Sequence, residues 1–351
     1  MILNDLAKQR INWLPDSINE NNIVLSSRVR LARNLNNYPF PIRLNKQQQI
    51  LLLDNIVSVV QKIWNFSEIQ ILKLNDLDKV DRMLLMERHL VSYNHAVNVS
   101  GEPGLIYKKD ETLSIMINEE DHLRIQIIGK GLSLRGIWET LSEIDDKLNR
   151  YLLFAFHKKY GFLTSCPTNV GTGLRVSCLV HLPGLVLTEQ IEKLIDNLLK
   201  IGICVRGFHG EGTDPEGDIF QISNTRTLGK TEEDIISDFE KVILTIIKYE
   251  KEARKKLIEN KFRQRVEDAV YRAYGIMYNA KLLNSNELVA YISKILLGLW
   301  LKMDLSIKTD LIYQLIFILQ PAHLQEFIGK QIDSQQRDGI RAELIHRYLF
   351  S

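Results

Sequence analysis

The sequence predicts an α+β protein: an antiparallel sheet flanked by helices on one side, followed by an all-helical C-terminal domain. Three observations carry this. The strand-like segments outnumber what the strand–helix alternation of a doubly wound fold would hold. Two of them, TLSIMIN and HLRIQII, are separated only by Glu-Glu-Asp, which suits a tight hairpin. Beyond Thr231 strand signals stop, and helical patterns with Lys, Arg and Glu faces run to the end.

The elements follow in order. IVLSSRVRLARN reads as a strand entering a loop. Lys46 to Trp64 has apolar residues at helical spacing. After the hairpin, Leu132 to Tyr160 reads as one long helix. The turn-rich stretch CPTNVGTGLR separates it from the strand RVSCLVHL. TEQIEKLIDNLLK is an amphipathic helix with a threonine cap. ICVRGF and DIFQISN are strands around the loop HGEGTDPEG. The expected units are an N-terminal segment (residues 1–21), a catalytic domain (22–250) and a helical domain (251–351), with no Pro/Gly/Ser-rich linker between the last two.

Composition narrows the class. A length of 351 residues, 45% of them hydrophobic, supports a sizeable core. The net charge of +2 gives no nucleic-acid signature. Cys166, Cys178 and Cys204 are too few and too scattered for a disulfide framework or a zinc site. The strongest apolar run, ISKILLGLWL, carries a lysine and falls short of a membrane span. The first residues, MILNDLAKQRINWL, bear charges where a signal peptide is apolar. A reducing cytoplasm is expected, with no membrane and no direct nucleic-acid contact.

Five arginines stand at strand ends or beside turns: Arg28, Arg30, Arg124, Arg175 and Arg206. Arg28 and Arg30 are two apart, so on a strand they share a face. Guanidinium forks that converge would repel one another unless an anion sat between them, and a polyphosphate fits. No P-loop and no protein-kinase signature set occurs, so a nucleotide would be clamped by arginines. NEEDHLR sets Glu119, Glu120 and Asp121 beside His122 and Arg124 at a hairpin tip. RGFHGEG adds Glu211 in a glycine-rich loop able to close over a ligand. The polar, glycine-rich surroundings of Cys166, with arginines nearby, favour its thiolate, whereas Cys178 and Cys204 lie in apolar runs and read as core.

Together SSRVR (26–30), NEEDHLR (118–124), CPTNVGTGLR (166–175), RGFHGE (206–211) and ISNTRTLGKTE (222–232) resemble the guanidino (phosphagen) kinase family, in family order. The resemblance implies that family's catalytic fold and ATP with Mg2+, with no metal ligand from protein side chains. It implies ATP contacts from Ser27, Arg28, Val29, Arg30, Leu31, His89, Arg124, Arg175, Val176, Ser177, Arg206, Gly207 and Gly210. Glu120 would orient the acceptor guanidinium and take its proton, Glu211 would contact its other side, and Cys166 would touch a guanidinium nitrogen. The strand SSRVR begins near residue 26, with no helical substrate domain ahead of it, and helices are added at the C-terminus. That arrangement is similar to the bacterial branch that phosphorylates arginines in proteins. The same resemblance implies a heat-shock repressor and misfolded proteins as substrates, marking for a Clp chaperone-protease, a zinc-binding activator and a homodimer. RDGIRA (337–342) matches a phosphoarginine-binding motif. Arg337 and Arg341 lie one helical turn apart to grip a phosphate, Asp338 would pair with the ligand's guanidinium, and Ala342 completes the pocket. The other readings are a kinase of a free guanidino metabolite and an adaptor that reads phosphoarginine.

Overall fold

The computed structural model describes residues 3–19, 22–64, 67–207 and 216–351. Its strands are β1 (Val24–Arg33), β2 (Ile69–Lys73), β3 (Gly104–Lys108), β4 (Leu113–Ile117), β5 (Leu123–Lys130), β6 (Phe156–His157), β7 (Gly161–Phe162), β8 (Leu174–His181), β9 (Ile203–Gly207) and β10 (Ile219–Asn224). Eight of them form one antiparallel sheet in the order β2-β3-β4-β5-β1-β8-β10-β9, and β6 and β7 make a separate small hairpin. The helices are α1 (Asn4–Ala7), α2 (Lys46–Ile63), α3 (Lys79–Glu87), α4 (Tyr93–Val97), α5 (Leu134–Leu152), α6 (Pro183–Leu187) and α7 (Ile191–Lys200), then α8 (Glu232–Leu257), α9 (Asn260–Asn279), α10 (Ser285–Trp300), α11 (Ile312–Ile318), α12 (Pro321–Ile328) and α13 (Ser334–Ile345).

Period-two alternation assigns the two faces of the sheet. Val29, Leu31, Ile125, Ile127 and Val176 point into one core, with Leu52 and Ile56 of α2, Leu141 and Leu148 of α5, and Phe239 and Ile243 of α8. On the other face, Ile128, Leu179 and Ile219 meet Leu288, Ile292 and Phe317 of the C-terminal helices. Further along that face, Leu105, Tyr107 and Met116 meet Leu84 and Leu85 of α3 and Ala322 of α12. Helices therefore cover both faces of the sheet, not one. The sequence hides this because the C-terminal helices return to a sheet formed far earlier in the chain.

Three local expectations are corrected. The helix expected to reach Tyr160 ends at Leu152, because Leu153 turns into the left-handed region (φ 52°) and the Asn149 side chain takes the Phe154 N–H (2.9 Å). The β6–β7 hairpin fills the remainder. The threonine before α7 is not its cap: Gln190 holds that position, and Thr188 closes α6 by donating to the Gly184 carbonyl (2.7 Å). Cys178 is buried, but Cys204 is half-exposed.

The helix α8 runs straight through residue 250. Thr231 and Asp234 form its capping box, and the Glu250 carboxylate accepts the N–H groups of Gly184 and Leu185 (both 2.9 Å). The chain's first segment docks on its last domain. Gln314 of α11 accepts from the Ile11 N–H (2.8 Å) and donates to its carbonyl (2.9 Å), and Trp13 is buried in the C-terminal core.

Candidate active site

Strand register brings the five arginines to one face. Arg30 on β1 lies opposite Arg175 on β8 and Gln126 on β5. Arg28 lies opposite Ser177, and Arg124 on β5 lies opposite Ala32. Arg206 on β9 faces Gln221 on β10, which pairs with Leu179 on β8. Since paired residues share a face, all five belong to the same side, and Val29, Leu31 and Val176 fill the core on the other.

The charges crowd. Arg28 donates to Gln221 Oε1 (2.8 Å) and, at longer range, to Ser177 Oγ (3.4 Å). Burial, then the neighbouring Arg124 and Arg175, push the Arg28 guanidinium down to about 10. Arg30 is driven well below the arginine range by burial and by Arg28, Arg124 and Arg175, with Glu119 opposing. Its Nε is buried and has no hydrogen-bond partner among the described residues. A face that penalises its own cations is complementary to a polyanion.

The acidic hairpin tip borders this face, and its three carboxylates differ. Glu119 is inside: it accepts from Ser92 Oγ (2.5 Å) and Arg124 Nη1 (2.7 Å). Burial alone would raise its carboxyl, but Arg124, Ser92 and His95 outweigh that and hold it below the usual range. Glu120 is outside, its side chain 44% exposed, at 3.4 Å from Arg124 Nη2. Asp121 is buried, and its Oδ1 accepts from the Ser165 N–H and from Asn34 Nδ2, both at 2.6 Å.

Cys166 follows Ser165 directly. It is half-buried, with Sγ 3.0 Å from Thr168 Oγ1. Its loop is shaped by glycines. Gly171 sits at φ 115°, where a Cβ would come within 2.5 Å of the Thr227 carbonyl, and Gly173 at φ 64° would meet the Ala32 carbonyl at 2.6 Å. Thr227 props the loop from below, donating to the carbonyls of Thr168 (2.9 Å) and Val170 (2.8 Å). The ISNTRTLGKTE segment is thus the floor of the cysteine loop, a role its residue types do not announce.

The other expected residues fall variously. Ser177 is on the arginine face. Ser27 turns away, donating to the Gly131 carbonyl (2.7 Å), and Gly207 is a buried residue of β9. The His89 carbonyl accepts from Gln126 (2.6 Å), beside Arg30, while its ring lies between Trp13 (5.1 Å) and Phe317 (5.6 Å). Gly210 and Glu211 lie outside the described residues. In α13, Arg341 is buried and donates to the carbonyls of Leu319 (2.9 Å) and Leu283 (2.6 Å) and to Asp338 (2.6 Å). Asp338 thus pairs with an arginine of its own motif. Arg337 is half-buried with Nη1 on the Ile332 carbonyl (2.8 Å), and Ala342 is buried. Glu119, Gln126, Gln221 and Asn34 were not assigned roles from sequence. Only register and burial reveal them, apart from the position of Glu119 next to Glu120.

The family model for the ATP:guanido phosphotransferase C-terminal catalytic domain matches residues 52–253. Among solved structures, the duplicated taurocyamine kinase from Schistosoma mansoni with bound transition state analog components is 30% identical with a TM-score of 0.57, over 65% of this chain and 33% of that one. Lombricine kinase, 20% identical, has a TM-score of 0.58 over 70% of each chain and speaks for the fold alone. The chain belongs to the ATP:guanido phosphotransferase family. A second model, the protein-arginine kinase McsB C-terminal domain, matches residues 263–351. Protein-arginine kinases of Halothermothrix orenii and Bacillus mycoides are 42% and 40% identical, over 98% and 99% of both chains. Within the family, this is a protein-arginine kinase of the McsB type, acting with ATP on protein substrates.

Proposed function

We propose that the arginine face holds the ATP phosphates and that transfer occurs at its acidic edge. The single observation carrying this is five arginines on one sheet face, of which Arg28, Arg30, Arg124 and Arg175 crowd and repel, bordered by the Glu120 turn and the Cys166 loop. His89 and Ser177 are read as further nucleotide contacts. Among the described residues no three His, Cys, Asp or Glu side chains gather to hold a metal ion. Mg2+ would be carried by the phosphates and would supply charge neutralisation there.

A guanidinium is a poor nucleophile because its lone pairs are delocalised. Glu120, exposed at the tip, aligns the incoming arginine and takes its proton as the N–P bond forms. Glu211 contacts the group from the other side, and Cys166 touches a guanidinium nitrogen. As the N–P bond forms, the bond from the γ-phosphorus to the bridging oxygen breaks and ADP leaves. Positioning and fixed positive charge supply most of the acceleration. The R-D-x-x-R-A helix is read as a phosphoarginine pocket in which Arg337, less engaged than Arg341, meets the phosphate. A cytoplasmic homodimer, a zinc-binding activator, a heat-shock repressor substrate and delivery of marked proteins to a Clp protease complete the reading.

The test is incubation with ATP-Mg and an unfolded, arginine-rich protein, followed by mass spectrometry that spares the acid-labile N–P bond. Phosphate on arginine, falling at least about a hundredfold in Glu120→Ala, supports the assignment. Undiminished labelling by that variant would remove Glu120 from the proposed role.

A further inference from the structure

We propose that Asp121 is a positioning residue that sets the Cys166 loop against the Glu120 turn. The inference deepens the kinase reading and rests on it for its kinetic arm only. One carboxylate oxygen of Asp121 takes two short hydrogen bonds, from the Ser165 N–H and from Asn34 Nδ2, each 2.6 Å. Its two sequence contacts matter: Asp121 directly follows Glu120, and Ser165 directly precedes Cys166. A single buried group therefore fixes two residues proposed to contact the same guanidinium, although they are far apart in the chain. Asn34 extends the clamp. Its Oδ1 accepts from the His122 N–H (2.9 Å), its Nδ2 also reaches the Leu163 carbonyl (3.1 Å), and its carbonyl accepts from Ala155 (2.7 Å). Asp121 and Asn34 are each only 2% exposed, and His122 is fully enclosed.

The chemistry of the clamp is specific. A carboxylate oxygen offers more than one lone pair in a fixed plane, so it can hold two donors from different segments at once. Hydrogen bonds to a charged acceptor in a dry setting are stiff. A guanidinium held between Glu120 and Cys166 requires their separation to be constant, and an error of about 1 Å there costs on the order of a hundredfold in rate. The backbone of the arginine face, in contrast, is set by the ladder that joins β5, β1, β8, β10 and β9 rather than by the two hydrogen bonds of Asp121. The clamp is thus expected to govern turnover without governing ATP affinity.

The experiment uses the full-length protein and the variants Asp121→Asn and Asn34→Ala. Hydrogen exchange on the ligand-free protein is read first, since it needs no activity. The expected result is a protected Ser165 amide in the unmodified protein and a loss of protection, confined to residues 163–170 and 118–122, in Asp121→Asn. Unchanged exchange there overturns the proposal, even if no phosphoarginine is ever detected. Kinetics follow. Asp121→Asn is expected to lower kcat about a hundredfold with KM for ATP unchanged, and to have little further effect once Cys166 is replaced by Ser. A loss that appears chiefly in KM for ATP, or one that adds in full to the Cys166→Ser effect, overturns it. If Asp121→Asn does not fold, Asn34→Ala, which leaves the carboxylate in place, is judged by the same two readouts. A failure of the unmodified protein to phosphorylate arginine would count against the kinase reading, leaving exchange to decide the clamp.

Discussion

Arg30 bears a charge that its surroundings oppose: its guanidinium is buried beside three other arginines, and its Nε has no partner among the described residues. Desolvated like charge is a standing cost to the folded state, relieved when an anion arrives. Since the folded state lowers the arginine's proton affinity, the cost is present in full below the folded-state pKa and is shed as pH rises through it. Arg30→Gln is therefore expected to raise the melting temperature of the ligand-free protein by a few degrees and to abolish ATP binding. Differential scanning calorimetry with and without ATP checks both, and a lower melting temperature would contradict this account of the crowding. At this scale the site was partly legible. The arginines and the N-E-E-D-H-L-R turn stand out as residue types in a run. Glu119 and Glu120 do not differ on paper, and only burial separates the enclosed partner of Arg124 from its exposed neighbour.

The cysteine loop shows what an element asks of its residues. Gly171 at φ 115° faces the Thr227 carbonyl with no space for a Cβ. Gly171→Ala should displace the loop from its threonine floor, reducing turnover more than nucleotide affinity. Steady-state kinetics against ATP would show it as a fall in kcat with KM held. Helix termini obey simpler rules. Thr231 and Asp234 cap α8 reciprocally, so Thr231→Ala is expected to cost about 1 kcal/mol of stability, measurable by urea unfolding. The strands β1, β4, β5, β8, β9 and β10 were readable because alternation is local, whereas the one cap named from sequence, the threonine before α7, closes α6 instead. The end of α5 was not readable, since nothing in the residue types around Leu153 demands a left-handed turn; the Asn149 side chain and the hairpin beyond it decide the matter. The double coverage of the sheet was equally hidden, because which core receives a given apolar face is a long-range fact.

At the scale of the molecule, the C-terminal helices are held to the sheet by buried polar contacts as well as apolar ones. Glu87 accepts the N–H groups of Ala322 (2.9 Å) and His323 (2.7 Å) at the start of α12. Arg88 is paired with Glu111 and lies 2.8 Å from His323 Nε2. Asp218 and His181 at the strand ends share Ser293 of α10, each at 2.8 Å. Glu326 on α12 is fully enclosed, and burial, then the adjacent Asp81 carboxyl, push it up to about 7. A carboxyl raised in the folded state gives its full stability below its unfolded pKa and loses it as pH rises through the folded value. Glu326→Gln, which cannot ionise, should match the unmodified protein near pH 5 and melt above it near pH 8. Glu87, also pushed up to about 7 by burial, moves in the same direction in both proteins, so the difference between them isolates Glu326. A gap independent of pH would mean that Glu326 keeps its charge.

The pairing of Ile11 with Gln314, and the burial of Trp13 against Phe317, have a consequence for how the protein is made. The ribosome releases Trp13 early and Phe317 late, so through most of translation Ile11 and Trp13 lack their C-terminal partners. The sheet can assemble around β1, but the core around Trp13 stays open until α11 emerges. During that interval the nascent chain offers a tryptophan-bearing segment to any chaperone at the exit tunnel, and the last helices to be synthesised close the structure over the first residues.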